Sequence, residues 1–282
     1  MEPHSKQVDG IRMRWTEVGR GTPVVLVHGI PTSPALYRKV LPRVADARLL
    51  AWEMVGYGES IPEGRGRDLS VWQQSEFLLS WMRSLDIGRA VLVGHDLGGG
   101  VVQVAAVREP ELCAGLVLTN AIGYDSWPIP SVKSIRAAGD LVSRMPNRLL
   151  KSAMGVLIYR GHDDRGVAHE SLDLHFAPYA EHDGARALVR QVRALDTRDT
   201  LQIQTSLGKL RGRPARVVWG ADDPFQKVRY GERFAQDLGC PLTRIAGGKH
   251  FVPEDHPDVL ATAIEDVVHE VQPLEAPAPA RR

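Results

Sequence analysis

What this chain has little of narrows its function before any motif is read. Cysteine occurs only twice, at Cys113 and Cys240, far apart and without metal-ligand neighbours, so the sequence predicts free thiols in a reducing compartment, no disulfide framework and no metal site. No apolar run nears 18 residues, and Met1-Glu2-Pro3-His4-Ser5-Lys6 leads into no signal-peptide core. The expectation is a cytoplasmic protein with no membrane partner. A formal net charge of +1 without a long basic block argues against nucleic acid as a partner. Gly-x-Gly-x-x-Gly is absent, which speaks against a phosphate-binding turn. No internal repeat is visible.

What is present is an alternation of short apolar runs and helical patterns over 282 residues, enough for one large α/β domain or two ordinary ones. Ile11 to Val18 alternates and reads as an edge strand, whereas Val24-Val25-Leu26-Val27 is apolar without alternation, as a strand covered on both faces must be. A helix is expected from about Ala35 to Ala45, a strand from Arg48 to Val55, an exposed loop from Pro62 to Arg67 and a Ser70-capped helix to about Leu85. Strands follow at Val91 to Val93 and Leu116 to Asn120. This order argues for parallel crossovers with a site at the carboxyl ends of the strands.

From about Tyr124 to Arg213 only helical patterns appear: Ser131 to Met145, Asn147 to Tyr159, Asp183 to Leu195 and Thr200 to Leu210. Such an insertion between strands reads as a lid. Ala215 to Gly220 and Leu242 to Ala246 are the last strands, and His256 to Glu270 closes the fold. The expected organisation is a core over 1–124, a helical cap over 125–213, a second core part over 214–271 and a disordered tail over 272–282.

The centre of the pattern is Val91-Leu92-Val93-Gly94-His95-Asp96-Leu97-Gly98-Gly99-Gly100, a buried strand that turns through Gly-x-Asp-x-Gly into a helix. This is the shape of a nucleophile elbow, with Asp96 where a serine usually stands. A carboxylate suits displacement at saturated carbon, because it yields an ester that water can break; a serine would leave an inert ether. An acid at Asp222 or Asp223 and then His250 follow, each at the end of an expected strand. His95 precedes the nucleophile and is expected to point away from it as packing.

In order along the chain, His-Gly-x-Pro at 28–31, Gly-Tyr-Gly-x-Ser at 56–60, the elbow at 94–98, Trp-Gly-x-x-Asp at 219–223 and a late Gly-x-His resemble the α/β-hydrolase fold family. The aspartate elbow is similar to its epoxide hydrolase and haloalkane dehalogenase branch. The resemblance implies a mostly parallel sheet flanked by helices, Asp96 as nucleophile, His250 as the base that activates water, and Asp223 in preference to Asp222 as the acid that orients the imidazole. It also implies an oxyanion hole from the backbone amides of Ile30 and Leu97, the first aimed by a cis bond at Pro31. No cofactor is expected. Asn120 cannot serve as the acid, which favours the later position.

Dehalogenases of this branch hold the halide with a Trp after the nucleophile and an Asn in the His-Gly-Asn-Pro loop, but here those positions are Leu97 and Ile30, whose side chains donate nothing. Epoxide hydrolases protonate the leaving oxygen with lid phenols, and the lid offers Tyr159 and Tyr179. The expected function is therefore an epoxide hydrolase acting on a small apolar epoxide, with a haloalkane dehalogenase as the alternative and Trp127 as its halide donor. His28, Pro31, Tyr124, Trp127, Phe176 and Phe251 are the expected substrate contacts. A monomer or homodimer is expected.

Overall fold

Residues 2–271 are described by the structure, a computed structural model; the expected disordered tail at 272–282 lies outside them. Strands β1 (Glu2–Val8), β2 (Ile11–Gly19), β3 (Thr22–Val27) and β4 (Ala47–Glu53) lead into helix α1 (Val71–Ser84), β5 (Ala90–His95), α2 (Leu97–Arg108) and β6 (Cys113–Thr119). Helices α3 (Pro130–Ala137), α4 (Gly139–Val142), α5 (Asn147–Gly161), α6 (Arg165–Glu181), α7 (Ala185–Arg193) and α8 (Arg198–Leu201) then follow with no intervening strand. The chain returns to the sheet with β7 (Ala215–Gly220), α9 (Val228–Leu238), β8 (Leu242–Ile245), α10 (Val252–Asp255) and α11 (Pro257–Glu270).

The eight strands form one sheet in the order β1-β2-β4-β3-β5-β6-β7-β8, antiparallel where β2 meets β1 and β4 and parallel from β4 onward. Both faces are covered, which is why the central strands read as unbroken apolar runs. Val25, Val27, Leu50, Trp52 and Leu92 enter one cluster with α1, α2 and α9. Val24, Leu26, Leu49, Ala51, Val91 and Val93 enter the other with α11 and the inserted helices. Adjacent residues thus serve opposite cores, the two-residue period of a strand packed on both sides. Register sets the site: Val27 lies opposite Gly94, His95 opposite Thr119 and Thr119 opposite Val218, so four strands stop at one level and release their loops together.

The structure departs from sequence expectation at several elements. Ile11–Gly19 is not an edge, because Glu2–Val8 pairs outside it; that polar strand is held by its backbone ladder and by His4 stacked on Trp15 at 5.4 Å. The expected helix at 35–45 is two short 3-10 turns, Pro34–Tyr37 and Leu41–Arg43, since Pro42 has no N–H to continue an α-helix. Of the expected exposed loop at 62–67, Pro62 to Gly64 end a 3-10 segment, Gly58–Gly64, with buried residues, while Arg65 to Arg67 are exposed, Arg65 pairing with Asp183 of the insertion at 2.8 Å. The longest inserted helix, α6, carries Pro178 near its end and has no clear apolar period, yet Asp164 caps it by accepting from the Val167 N–H at 2.8 Å. Among the described residues no helix is long and apolar enough to cross a membrane.

Candidate active site

Asp96 sits between β5 and α2 at φ 50°, ψ −120°, a strained conformation that lifts its side chain off the strand end. The turn is possible because two neighbours lack a Cβ. At Gly98 a Cβ would lie 2.0 Å from the Val27 carbonyl oxygen, and at Gly29 it would lie 2.4 Å from the Asp96 Cβ. The helix therefore packs against β3, and the His28–Pro31 loop closes over the carboxylate. Ile30 N–H donates to Asp96 Oδ1 at 3.0 Å.

Across the cleft, His250 Nε2 is 3.7 Å from Asp96 Oδ2, and His250 Nδ1 is 2.8 Å from Asp223 Oδ2. Asp223 Oδ1 accepts from the backbone N–H of Phe225 at 2.7 Å and of Gln226 at 3.0 Å. Asn120 Nδ2 donates to Asp223 Oδ2 at 2.6 Å and so fixes the carboxylate from the end of β6. Asp222, the competing acid, is exposed on the turn. The structure therefore brings Asp96, His250 and Asp223 into one line.

Burial pushes the Asp96 carboxyl above its ordinary range, opposed by His250 and by the Leu97 and Ile30 amides. Burial also opposes ionisation of Asp223, but the His250 charge and the hydrogen bonds from His250, Asn120 and Gln226 outweigh it and hold the carboxyl low. For His250 burial disfavours the charged ring, yet Asp223 and Asp96 raise its pKa above the ordinary value. A neutral His250 thus carries its proton on Nδ1, facing Asp223, and leaves Nε2 free to take one.

His95 is packing: its Nε2 donates to the His250 carbonyl at 3.0 Å, and burial lowers its pKa to about 3. The insertion braces the base directly, because the Gly161 carbonyl at the end of α5 accepts from the N–H groups of His250 at 2.9 Å and Phe251 at 3.2 Å.

A cavity of about 100 Å³ opens on Asp96, His250 and the elbow. Of the expected substrate contacts, Pro31, Trp127 and Phe251 line it; so do Ile30 and Leu97. The others do not. His28 organises its loop, bonding the Gly29 carbonyl through Nδ1 at 2.9 Å and accepting from Met54 N–H at 3.1 Å, with its pKa lowered by burial to about 3. Tyr124 donates to Asp237 at 2.8 Å against Phe234, and Phe176 packs in the core of the insertion.

Both expected lid phenols are misplaced for catalysis. Tyr159 is partly buried between α5 and α6, pairing with His169 Nδ1 at 3.0 Å and not lining the cavity, and Tyr179 is buried, donating to Gln191 Oε1 at 2.6 Å. Trp127 reaches the cavity with its ring alone, since its indole N–H donates to Thr200 Oγ1 at 2.8 Å. Sequence reasoning missed Asn120 as the residue that steadies Asp223, although its place directly after a strand was the signal. It also missed Gln226, three residues beyond Asp223, which lines the cavity.

The elbow, the loop amides and the carboxylate–imidazole pair at the ends of parallel strands define the class: the chain has the α/β-hydrolase fold, with an aspartate at its elbow. Residues 22–153 match the family described as alpha/beta hydrolase fold. The chain is 26% identical over 271 residues to the uncharacterized hydrolase YugF of Bacillus subtilis (strain 168), spanning 93% of this chain and 96% of that protein. It is 24% identical over 281 residues to a haloalkane dehalogenase of Mesorhizobium japonicum, spanning 92% and 88%. A crystal structure of an α/β-hydrolase fold protein from Burkholderia ambifaria matches with a TM-score of 0.83 at 24% identity, covering 93% of this chain and 97% of that one.

Proposed function

We propose that the protein is a hydrolytic dehalogenase for short halogenated alkyl compounds, working through an alkyl ester on Asp96. One Asp96 oxygen bonds to the halogen-bearing carbon as the carbon–halogen bond breaks, and the halogen leaves as halide with the bonding electrons. His250 then takes a proton from water at Nε2 as that water attacks the ester carbonyl. The negative oxygen that forms is held between the Ile30 and Leu97 amides. Collapse releases the alcohol, which takes the proton from His250, and Asp96 is restored with one oxygen from water. Asp223 holds the imidazole and offsets its charge throughout.

The observation that carries this choice is the chemistry of the cavity wall. Besides Asp96 and His250, its polar residues among those described are Trp127, whose N–H is engaged, and Gln226; no Tyr, Ser, Thr, Lys, Arg or Glu among the described residues lines it. An opening epoxide leaves a basic alkoxide that needs a proton, and no phenol is there to give one. A halide leaves without a proton. The dehalogenase relative, alike over most of both chains, supports the same reading. Volume restricts the substrate to a few carbons, since a cavity of about 150 Å³ already accepts benzene.

The test is a matched pair. With 1-bromobutane the enzyme is expected to release bromide and butanol and with 1,2-epoxybutane to leave the ring intact, while Asp96→Asn releases no bromide. Diol from the epoxide without bromide from the halide overturns the proposal in favour of epoxide hydrolysis.

A further inference from the structure

The cavity holds one polar side chain that this mechanism leaves unused. Gln226, on the loop between β7 and α9, lines the cavity and is only 2% exposed. Its backbone is fixed twice, by its N–H on Asp223 at 3.0 Å and by its carbonyl accepting the Trp219 indole N–H at 2.8 Å. Its side-chain Oε1 is buried and has no hydrogen-bond partner among the described residues. Phe225, the residue before it, also lines the cavity and stands edge-on to the His250 ring at 5.1 Å.

A primary amide both donates and accepts, and it is poorly hydrated once a ligand has displaced water from an apolar enclosure. A substrate made only of carbon and halogen leaves it unpaired; one bearing a hydroxyl pairs with it. Among the described residues no Lys or Arg lines the cavity to neutralise an anion beside Asp96, so a halogenated carboxylate is disfavoured and the group is taken to be uncharged. We infer that Gln226 is the specificity-determining residue of this pocket and that its substrates are short halogenated alcohols, the hydroxyl bonded to the Gln226 amide while the halogen-bearing carbon faces Asp96. The halogen in this statement rests on the proposed dehalogenation; the hydroxyl rests on the amide alone.

Two measurements keep these apart. The first compares 3-bromo-1-propanol with 1-bromobutane, which differ by a hydroxyl in place of a methyl. The wild type is expected to favour the alcohol in kcat/KM by about 10-fold or more, the scale of one buried hydrogen bond left unmade. Gln226→Met, and Gln226→Leu as a second variant, should bring the ratio to about one or below while still folding, as judged by circular dichroism. The second titrates cyclopentanol, which carries no halogen, calorimetrically into each protein. Tighter binding to wild type than to both variants is expected, whether or not any halide is released. An unchanged substrate ratio, or equal cyclopentanol affinity in wild type and variants, overturns the inference. Absence of bromide from both bromides in the wild type, with the cyclopentanol difference intact, removes the dehalogenation reading and leaves the amide's role standing.

Discussion

His250→Gln is expected to stop turnover after the first half-reaction and to trap the substrate on the enzyme. Attack by Asp96 needs a charged carboxylate, which the Leu97 and Ile30 amides still favour when the His250 charge is gone, and an open carbon, which His250 does not supply. Hydrolysis of the ester needs a proton taken from water at Nε2, and a glutamine amide cannot take it. Intact-mass analysis after mixing with 1-bromobutane should show one butyl group per chain, on the peptide that contains Asp96. Ester hydrolysis should fall by about 10²–10⁴-fold, the usual worth of a positioned base. The fold should survive, because His250 is held by its backbone, through Gly161 and His95, and Gln can still face Asp223. A variant that neither traps adduct nor turns over would remove His250 from this step.

Glu254→Ala is expected to cost about 3–5 kcal/mol of stability, the scale of breaking one side of a buried ion pair. Glu254 lies on α10, four residues beyond His250, and is buried beneath the insertion. It pairs with Arg38, accepts from Ser171 Oγ at 2.7 Å, and lies 3.2 Å from His162 Nε2 and 3.6 Å from His175 Nε2. Truncation leaves the Arg38 guanidinium without one of its two carboxylates and His162 without one of its partners. Burial pushes the Glu254 carboxyl up, but His162, His175 and Arg38 outweigh it and hold it well below its usual range. Burial lowers His162, which Asp255 and Glu254 more than reverse.

The signs set a pH window. A carboxyl held low stabilises the fold above its unfolded pKa of about 4.3 and loses that contribution as pH falls through its folded value. The raised histidine contributes below its unfolded pKa of about 6.5 and is lost as pH rises through its folded value. Urea unfolding should therefore show the largest gap between wild type and variant from about pH 4.3 to 6.5, narrowing on either side. A gap under about 1 kcal/mol throughout would mean the cluster contributes little.

How much could be read from the chain depends on which force fixes each residue. The elbow was legible because Gly94, Asp96 and Gly98 encode a backbone path, and backbone paths are written in glycines. Asp223 was legible because it follows the apolar strand Ala215–Gly220, and His250 because it follows a short strand, Leu242–Ile245, and a glycine pair in the order the family resemblance implies. The lid phenols were not, because a helix face is decided by packing partners that lie far away in sequence. On α5, Leu150, Met154 and Ile158 form the buried stripe, and Tyr159, one step round the helix, turns to His169 of α6. Tyr179 is held by Gln191, which in turn donates to the Gly56 carbonyl at 2.8 Å, a link between the insertion and the core that no local pattern announces. Strand β1 was missed because its sequence is polar and its stability comes from the ladder with β2.

The central claim, that the Asp96 carboxylate makes the bond to carbon and water later attacks its carbonyl, is tested most directly by one turnover in heavy-oxygen water with enzyme in excess of 1-bromobutane. The account predicts heavy oxygen in the side chain of Asp96 and ordinary oxygen in the butanol. Heavy oxygen in the butanol with none in Asp96 would contradict it, since water would then have displaced the halide directly.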